Sequence, residues 1–176
     1  PFDIQELRLR VRNALHRSRQ GSLTNPITGL PEGSLVDEAL LIGLEQAESV
    51  ALVVTLRNLN RFREVYGFVA SDDLLRAVSL IVQDTVRDIA NSEDFIGHLT
   101  ASDFLIITHQ THVGPLREQI NKRLEHSFNY FYSEHDRDQD KFRNNKLGVQ
   151  IYDLQLSLFQ PDNLSHLKVK LTQFCQ

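Results

Sequence analysis

The chain has 176 residues and a formal net charge of −4, with 41% hydrophobic and 24% charged residues, a balance typical of a globular protein rather than a disordered or membrane protein. No apolar run approaches the roughly 20 residues that span a bilayer, no signal peptide is visible, and the charge does not favour nucleic-acid binding. The one cysteine, Cys175, excludes an intrachain disulfide and a cysteine metal cluster, so we expect a cytoplasmic protein.

Residues 3–19 are predicted to form an amphipathic stalk helix. Its apolar residues recur every three or four positions, and five arginines occupy other positions: Arg8, Arg10, Arg12, Arg17 and Arg19. We interpret the arginines as a solvated face, in preference to a basic arm for nucleic acid. The apolar stripe is expected to pack against another domain or a second copy of this helix. Because the chain starts at Pro1 and has no methionine, we expect a fragment of a longer protein.

The remaining elements alternate between helical and strand periodicity. A loop rich in glycine and proline covers residues 20–33, and the highly charged residues 133–146 are expected to form a mobile surface loop. The order predicts an α+β domain with a central, mostly antiparallel sheet and flanking helices. The predicted elements are helix 34–47, strand 50–56, helices 59–66 and 72–90, a β-hairpin over 94–108, helix 115–132, strand 150–159 and helix 161–174.

The functional interpretation depends on the hairpin over 94–108. Two apolar runs, Phe95–Ile96 and Phe104–Ile107, flank small and polar turn residues over 99–103. A tip this small can bring backbone N–H groups close to a phosphate. It equally suits an ordinary surface turn, and the residues of the hairpin leave both interpretations open.

Three histidines lie in or beside this hairpin, and they raise the question of a metal site. His98 and His109 fall on different predicted strands, and neither they nor His112 are accompanied by a cysteine or an acidic pattern. A zinc site is therefore not favoured. The sequence also lacks the Walker, Rossmann and Gly-x-Ser-x-Gly patterns, which leaves NTPase, dehydrogenase and hydrolase functions without support.

Three segments at consistent spacing resemble the GGDEF domain family, which has the diguanylate cyclase fold. Asn25-Pro-Ile-Thr-Gly-Leu-Pro31 resembles the family's Asp-x-Leu-Thr-Gly-Leu-Pro signature, and Thr55 to Leu75 aligns without a gap to its Asp-x-Asp-x-Phe-Lys-x-x-Asn-Asp-x-Tyr-Gly-His-x-x-Gly-Asp pattern. Thr100-Ala-Ser-Asp-Phe104 stands in the place of Gly-Gly-Asp-Glu-Phe. The resemblance covers about residues 23–160 and implies a nucleotidyl-cyclase-like, ferredoxin-like palm.

The start of the chain carries a second resemblance. Pro1-Phe2-Asp3 followed by a helix is similar to the last helix of a two-component receiver domain, after its Lys-Pro-Phe turn. This resemblance implies a bacterial response regulator, in which residues 1–20 are the receiver-derived helix and residues 21–176 the GGDEF domain. The implied partners are its own receiver domain, an unidentified protein and a second copy of this chain, which would bind through the 3–19 helix. Neither nucleic acid nor a membrane is expected as a partner.

Family membership implies that two such domains join two GTP molecules into cyclic di-GMP and release pyrophosphate, using divalent ions held by carboxylates. The two metal-carboxylate positions of the family correspond to Thr55 and Ser102. Neutral hydroxyls do not replace two anions in a hard-cation site. We therefore expect no catalytic residue and no cofactor. Mg²⁺ would be bound only if cyclase activity survives.

Other implied nucleotide-pocket positions also depart from the family pattern. The two signature glycines are Thr100 and Ala101, and the guanine-contacting asparagine is Arg63. Only Asp72, at the second guanine contact, and Asp103, at the fourth signature position, keep carboxylates. Asp72 equally suits the N-cap of the following helix, and Asp103 an ordinary turn residue.

The product-inhibition site of the family also lacks one of its two binding residues here. Its Arg-x-x-Asp motif reads Asn91-Ser-Glu-Asp94 here, without the arginine that would pair bidentately with a phosphate.

The leading hypothesis is therefore a degenerate GGDEF output domain that is catalytically inactive and acts through protein contact. The alternative is a sensor of GTP or a cyclic dinucleotide that uses Arg63, Asp72 and the hairpin, and an active cyclase ranks third.

Overall fold

The computed structural model describes residues 23–91, 93–133, 146–160 and 163–175, so the predicted 3–19 helix and most of the predicted 133–146 loop lie outside the described residues. Within these ranges, no helix is both long enough and apolar enough to cross a membrane. The elements are α1 (Ser34–Glu45), β1 (Ser49–Arg57), α2 (Leu59–Ile89), β2 (Phe95–His98), β3 (Phe104–His109), α3 (Gln110–Phe128), β4 (Gly148–Gln155) and α4 (Leu164–Gln173), with 3₁₀ turns at Asn129–Phe131 and Leu156–Leu158.

The four strands form one antiparallel sheet in the order β2-β3-β1-β4. The predicted hairpin is confirmed as β2 and β3. Val54 pairs with Phe104, so the last residues of β1 lie next to the turn of the hairpin. This register brings two of the three segments that carry the family resemblance, 55–75 and 100–104, to the same edge of the domain.

Both faces of the sheet are covered by helices. Leu52 and Val54 of β1 enter a core with α2 and α3, whereas Ala51 and Val53 enter a second core with α1 and α4. A strand buried on both faces has no need of polar alternation. This explains the continuous apolar run at 50–54, and the predicted α+β architecture is confirmed.

The two predicted helices 59–66 and 72–90 are the two parts of α2. They meet at Gly67, whose φ of 84° and ψ of 175° interrupt the helix. A positive φ of this size favours glycine, because a Cβ would meet the backbone. The helix resumes directly after Gly67, so Asp72 lies inside α2 and its interpretation as an N-cap is wrong.

The predicted start of α3 at Pro115 is wrong. The helix begins at Gln110, and the side chain of the N-cap residue His109 accepts a hydrogen bond from the backbone N–H of Thr111. Pro115 therefore lies inside the helix. The glycine–proline pair at 114–115 predicts a helix boundary, but here it lies within the second turn.

The predicted strand 150–159 is too long at its C-terminal end. β4 ends at Gln155 and a 3₁₀ turn follows over Leu156–Leu158. Leu156 is fully buried, whereas Leu158 is 73% exposed. A strand with period two would place both leucines on one face, so the turn is what separates them.

Candidate functional site

The end of β1, the start of α2 and the hairpin turn enclose a polar cleft, called the site cleft below. Its volume is about 390 Å³. Three of the predicted site residues therefore lie together: Thr55, Ser102 and Asp103. The lining residues are Thr55, Leu56, Asn58, Leu59, Asn60, Arg61, Ser102, Asp103 and Cys175.

The hairpin turn satisfies its own hydrogen-bonding groups. The Thr100 hydroxyl accepts from the backbone N–H groups of Ser102 and Asp103, at 3.3 and 3.2 Å, and donates to the Asp103 carboxylate. The Asp103 carbonyl accepts from the backbone N–H of Leu99 at 2.9 Å. Each of these N–H groups is directed into the turn, which leaves none of them a hydrogen for a phosphate. Ala101, at the other signature glycine position, is exposed.

The oxygen atoms in the site cleft do not fit a pair of divalent cations. Thr55 is 9% exposed, and its hydroxyl is buried beside the Cys175 thiol. Ser102 adds a second neutral hydroxyl, and the one carboxylate, from Asp103, is already bonded to Thr100. Mg²⁺ is held in proteins mainly by carboxylates and phosphates. In the described part of the chain, no three or more His, Cys, Asp or Glu side chains are grouped to hold a metal ion.

Cys175 is the site residue that the sequence did not reveal. It follows α4 and lines the site cleft with Thr55 and Asp103. Burial, and next the negative charge of Asp103, raise the pKa of Cys175 to about 12. The thiol is therefore protonated at neutral pH. No local pattern predicts this position, because it depends on how α4 packs on the far face of the sheet.

Arg63 and Asp72 are not among the residues that line the site cleft. Nε of Arg63 donates to the Ser71 hydroxyl at 3.2 Å, and its guanidinium lies 5.5 Å from the centre of the Phe68 ring. Arg63 thus contacts Phe68, which stands where the family's Tyr-Gly-His pattern has histidine. The arginine is held by its own helix.

Asn91 and Asp94 line a separate cavity of about 460 Å³ between α1 and the β2–β3 edge. The Asp94 carboxylate accepts from the Thr108 hydroxyl and lies 3.8 Å from Nδ1 of His112. Among the described residues that line this cavity, Glu93 and Asp94 are acidic and none is a lysine or arginine. A phosphodiester anion would meet negative charge there without a lysine or arginine in the lining to compensate it.

His98 joins the N-terminal loop to the hairpin. Its backbone N–H donates to the Pro31 carbonyl at 2.7 Å, and its Nε2 lies 2.7 Å from the Thr28 hydroxyl. Its Nδ1 lies 3.2 Å from the Thr100 carbonyl oxygen. Because a carbonyl only accepts, Nδ1 carries a proton. Burial lowers the pKa of His98, so the ring is neutral at neutral pH, Nε2 then accepts from the Thr28 hydroxyl, and the imidazole acts as a structural link.

We expect protonation of His98 to destabilise the fold. Burial lowers the pKa of His98 below its ordinary value of 6.5 despite the opposing hydrogen bond to Thr100. The unfolded chain then binds a proton more readily than the folded chain, so the free energy of unfolding falls as the pH drops below 6.5. The fall is at most about 1.4 kcal/mol per pH unit.

Urea unfolding at about pH 7.5 and about pH 5.5 measures this loss. His98→Gln should remove the part that belongs to His98, whereas the matched variant of exposed His166, His166→Gln, should retain it. An identical pH dependence for the parent chain and His98→Gln would contradict the assignment.

Residues 22–160 match the family model described as "Diguanylate cyclase, GGDEF domain". No curated protein matches the sequence. Among solved structures, the chain is similar to the diguanylate cyclase SiaD of Pseudomonas aeruginosa in complex with its activator SiaC, with a TM-score of 0.59, 13% identity and coverage of 96% of this chain and 64% of that chain. The chain thus spans less than two thirds of the SiaD chain.

Two structures from Caulobacter crescentus have a similar fold. One is the GGDEF domain of DgcB in complex with c-di-GMP, with a TM-score of 0.55, 17% identity and coverage of 85% of this chain and 84% of that chain. The other is a sensory box/GGDEF family protein, with a TM-score of 0.59, 10% identity and coverage of 88% and 97%. At these identities the likeness concerns the fold, and the family model, which spans most of the sequence, establishes that this chain belongs to the diguanylate cyclase GGDEF domain family.

Proposed function

We propose that this chain is a catalytically inactive GGDEF domain that passes a signal on through protein contact. The observation that carries the proposal is the chemistry of the site cleft. The positions implied for the metal carboxylates hold hydroxyls, and the remaining carboxylate of Asp103 is bonded to Thr100. The cleft keeps its position between β1 and the hairpin but lacks the negative charge that two divalent ions require.

The electrostatic loss is large enough to abolish turnover. Removing one contact that stabilises charge in a transition state costs about 3–4 kcal/mol, or about 10²–10³ in rate. Thr55 and Ser102 replace two metal ligands, so the combined loss is about 10⁴–10⁶ if the effects add. The hairpin turn contributes further, because its N–H groups at 102 and 103 are bonded to Thr100.

The test is formation of cyclic di-GMP from GTP and Mg²⁺ by the full-length protein, with and without phosphorylation of its receiver. We expect no product above the protein-free blank under conditions in which an active member of the family, assayed in parallel, reaches complete conversion. Appreciable formation of cyclic di-GMP by the phosphorylated protein would contradict the proposal.

We further propose the context of a bacterial two-component response regulator in the cytoplasm. Residues 1–20 would be the receiver-derived helix and residues 21–176 the output domain, with a homodimer forming through the 3–19 helix. The sequence similarity at Pro1-Phe2-Asp3 supports this organisation. The structure of SiaD in complex with its activator SiaC supports a protein partner, because a GGDEF protein there binds another protein.

The second candidate function is a sensor of GTP or a cyclic dinucleotide. It is favoured by the start of α2, where Asn58 has a left-handed φ of 61° and no side-chain cap is formed, because the first N–H groups of such a helix suit a phosphate. The Arg63 contacts with Ser71 and Phe68 disfavour it. Calorimetric titration with GTP, GDP and cyclic di-GMP separates the two candidate functions. A domain that acts only through protein contact gives no binding heat with any of these nucleotides.

A further inference from the structure

The outward side of α1 carries exposed apolar and acidic side chains, and it is called the α1 face below. Leu41 and Ile42 are 38% and 51% exposed. Glu38 lies one turn before them and Glu45 one turn after them, and both glutamates are exposed. Residues three or four positions apart share one side of a helix. The α1 face therefore has an apolar centre with a carboxylate at each end.

The two glutamates of the α1 face have no cationic partner in the described part of the chain. The neighbouring acids are already engaged, since Asp37 pairs with Lys168 at 2.5 Å and Glu48 contacts a histidine ring at 2.9 Å. No described lysine, arginine or histidine lies within ion-pair distance of Glu38 or Glu45. Residues 23–49 contain no lysine or arginine at all. The α1 face therefore suits a partner that combines apolar side chains with positive charge.

The N-terminal segment of the same chain joins the domain beside this face. The Leu23 carbonyl accepts a hydrogen bond from the Glu32 N–H at 2.9 Å, and Thr24 pairs with Pro31. Residue 23 therefore lies next to the residues that lead into the start of α1. The chain from residue 19 to residue 23 spans at most about 14 Å, so the C-terminal end of the predicted stalk helix stays close to the start of α1.

The charges of the predicted stalk helix match the α1 face in an antiparallel alignment. Arg12 and Arg19 are seven residues apart, as are Glu38 and Glu45, and seven residues make about two helical turns. When Arg19 lies next to Glu38, the same alignment brings Arg12 to Glu45. Leu15, which is one turn from both arginines, then lies against the apolar centre of the α1 face. Hydrocarbon stems of arginine also pack on apolar surface while the charged heads reach carboxylates.

A third arginine extends this row beyond α1. Arg8 precedes Arg12 by four residues and shares its side of the predicted helix. In the same alignment it lies past the end of α1, beside the cavity of about 460 Å³ between α1 and the β2–β3 edge. Glu93 and Asp94 line that cavity without a lysine or arginine. Arg8 would supply the positive charge that this lining lacks.

We propose that the stalk helix docks on the α1 face of its own chain, with its arginines next to the acidic residues there. This inference rests on the proposed function, in which the stalk helix joins two copies, and it adds a second position for the same helix. A docked helix buries the apolar side chains that a homodimer needs, so docking and dimer formation exclude each other. Release of the helix would uncover the α1 face, which gives the receiver a way to control a protein contact.

A disulfide between the two elements tests the contact directly. In a chain whose own cysteine is removed by Cys175→Ser, the pair Leu15→Cys and Leu41→Cys should form an intramolecular disulfide with oxidised glutathione, since facing positions of packed helices come within disulfide reach. The matched control pairs Leu15→Cys with Leu80→Cys, an exposed leucine of α2 on the other side of the sheet. We expect the first pair to close at least about tenfold faster.

The form of the cross-linked product decides which copy provides the helix. A cross-linked monomer on a denaturing gel supports docking within one chain. A cross-linked dimer would overturn it, because the helix would then lie on a second copy. Equal rates for the two cysteine pairs would also overturn the proposal.

Charge reversal on the α1 face tests the role of the glutamates. Glu38→Arg together with Glu45→Arg should slow disulfide formation at least about tenfold, because the face would then repel the arginines of the stalk helix. Glu118→Arg together with Glu125→Arg is the matched control, since these exposed glutamates are also seven residues apart but belong to α3. The control should leave the rate unchanged. Equal rates in the two reversed variants would contradict the proposed pairing.

Restoration of the opposite charges separates pairing from damage to the fold. Adding Arg12→Glu and Arg19→Glu to the reversed α1 face should return the rate to within about threefold of that of the parent pair. A rate that stays slow would overturn the proposed alignment. These outcomes are distinct from the cyclase assay, in which formation of cyclic di-GMP would overturn the proposed inactivity. The disulfide reports only the position of the stalk helix.

Discussion

Replacing Thr55 and Ser102 together by aspartate should give the protein an affinity for Mn²⁺ at least about 100-fold higher than that of the parent chain. Both positions line the site cleft with Asp103, so the variant brings three carboxylates to one place. Opposite unit charges 4 Å apart attract by about 4 kcal/mol at an effective dielectric constant of 20. A factor of 100 needs only about 2.8 kcal/mol. Calorimetric titration with MnCl₂ measures the difference.

The matched control is the double variant Thr55→Asn, Ser102→Asn, which changes size similarly without adding charge. Without metal, repulsion between the carboxylates should lower the Tm of the aspartate variant below that of the asparagine variant. Mn²⁺ should then raise the Tm of the aspartate variant alone, because it binds the folded state. Equal Mn²⁺ affinities in the two variants would contradict the view that missing negative charge is what disables the cleft.

Phe104→Ala should lower the free energy of unfolding by about 3–5 kcal/mol. Phe104 closes the hairpin turn, is fully buried and lies with its ring centre 4.5 Å from that of His98. Removing the ring leaves a cavity between the sheet and the helices α2 and α3, where little can move to fill it. Because a domain of this kind is typically stable by about 5–15 kcal/mol, a large fraction of the total would be lost.

Urea unfolding followed by circular dichroism measures this loss, and Phe68→Ala provides the control. Phe68 is the same residue type but is 73% exposed, so its removal should cost less than about 1 kcal/mol, including its contact with Arg63. A loss below about 1 kcal/mol for Phe104→Ala would show that the hairpin is not held by this core.

The proximity of Thr55 to the hairpin turn could be predicted from the sequence. The run at 50–56 reads as a central strand, and the hairpin follows the pattern of two short apolar runs around a small turn. Once the segments are placed in one antiparallel sheet, pairing of Val54 with Phe104 brings Thr55 beside Asp103. Strand periodicity indicates the two strands, but their register joins distant segments, and it was the family resemblance that assigned Thr55 and Ser102 to one pocket.

Other features depend on contacts between distant segments, which local patterns do not contain. The role of Cys175 follows from where α4 packs, and the start of α3 depends on a hydrogen bond to the His109 ring rather than on a standard capping residue. The sequence raised the question of His98 as a metal ligand. Its structural role depends instead on hydrogen-bond partners, Thr28 and Thr100, that come from two different segments. The predicted 3–19 helix stays a prediction.

The Thr100 hydroxyl makes glycine, the residue of the family signature, costly for stability at this position of the hairpin turn. A return to glycine at position 100 would remove the acceptor for the N–H groups of Ser102 and Asp103 and the donor to the Asp103 carboxylate. Each lost hydrogen bond costs about 0.5–1.5 kcal/mol, and glycine adds backbone freedom to the unfolded chain. A single step towards the family signature would therefore weaken the domain without restoring a metal ligand. The hydrogen bonds of the Thr100 hydroxyl therefore oppose this single substitution through stability alone, whatever the activity of the domain.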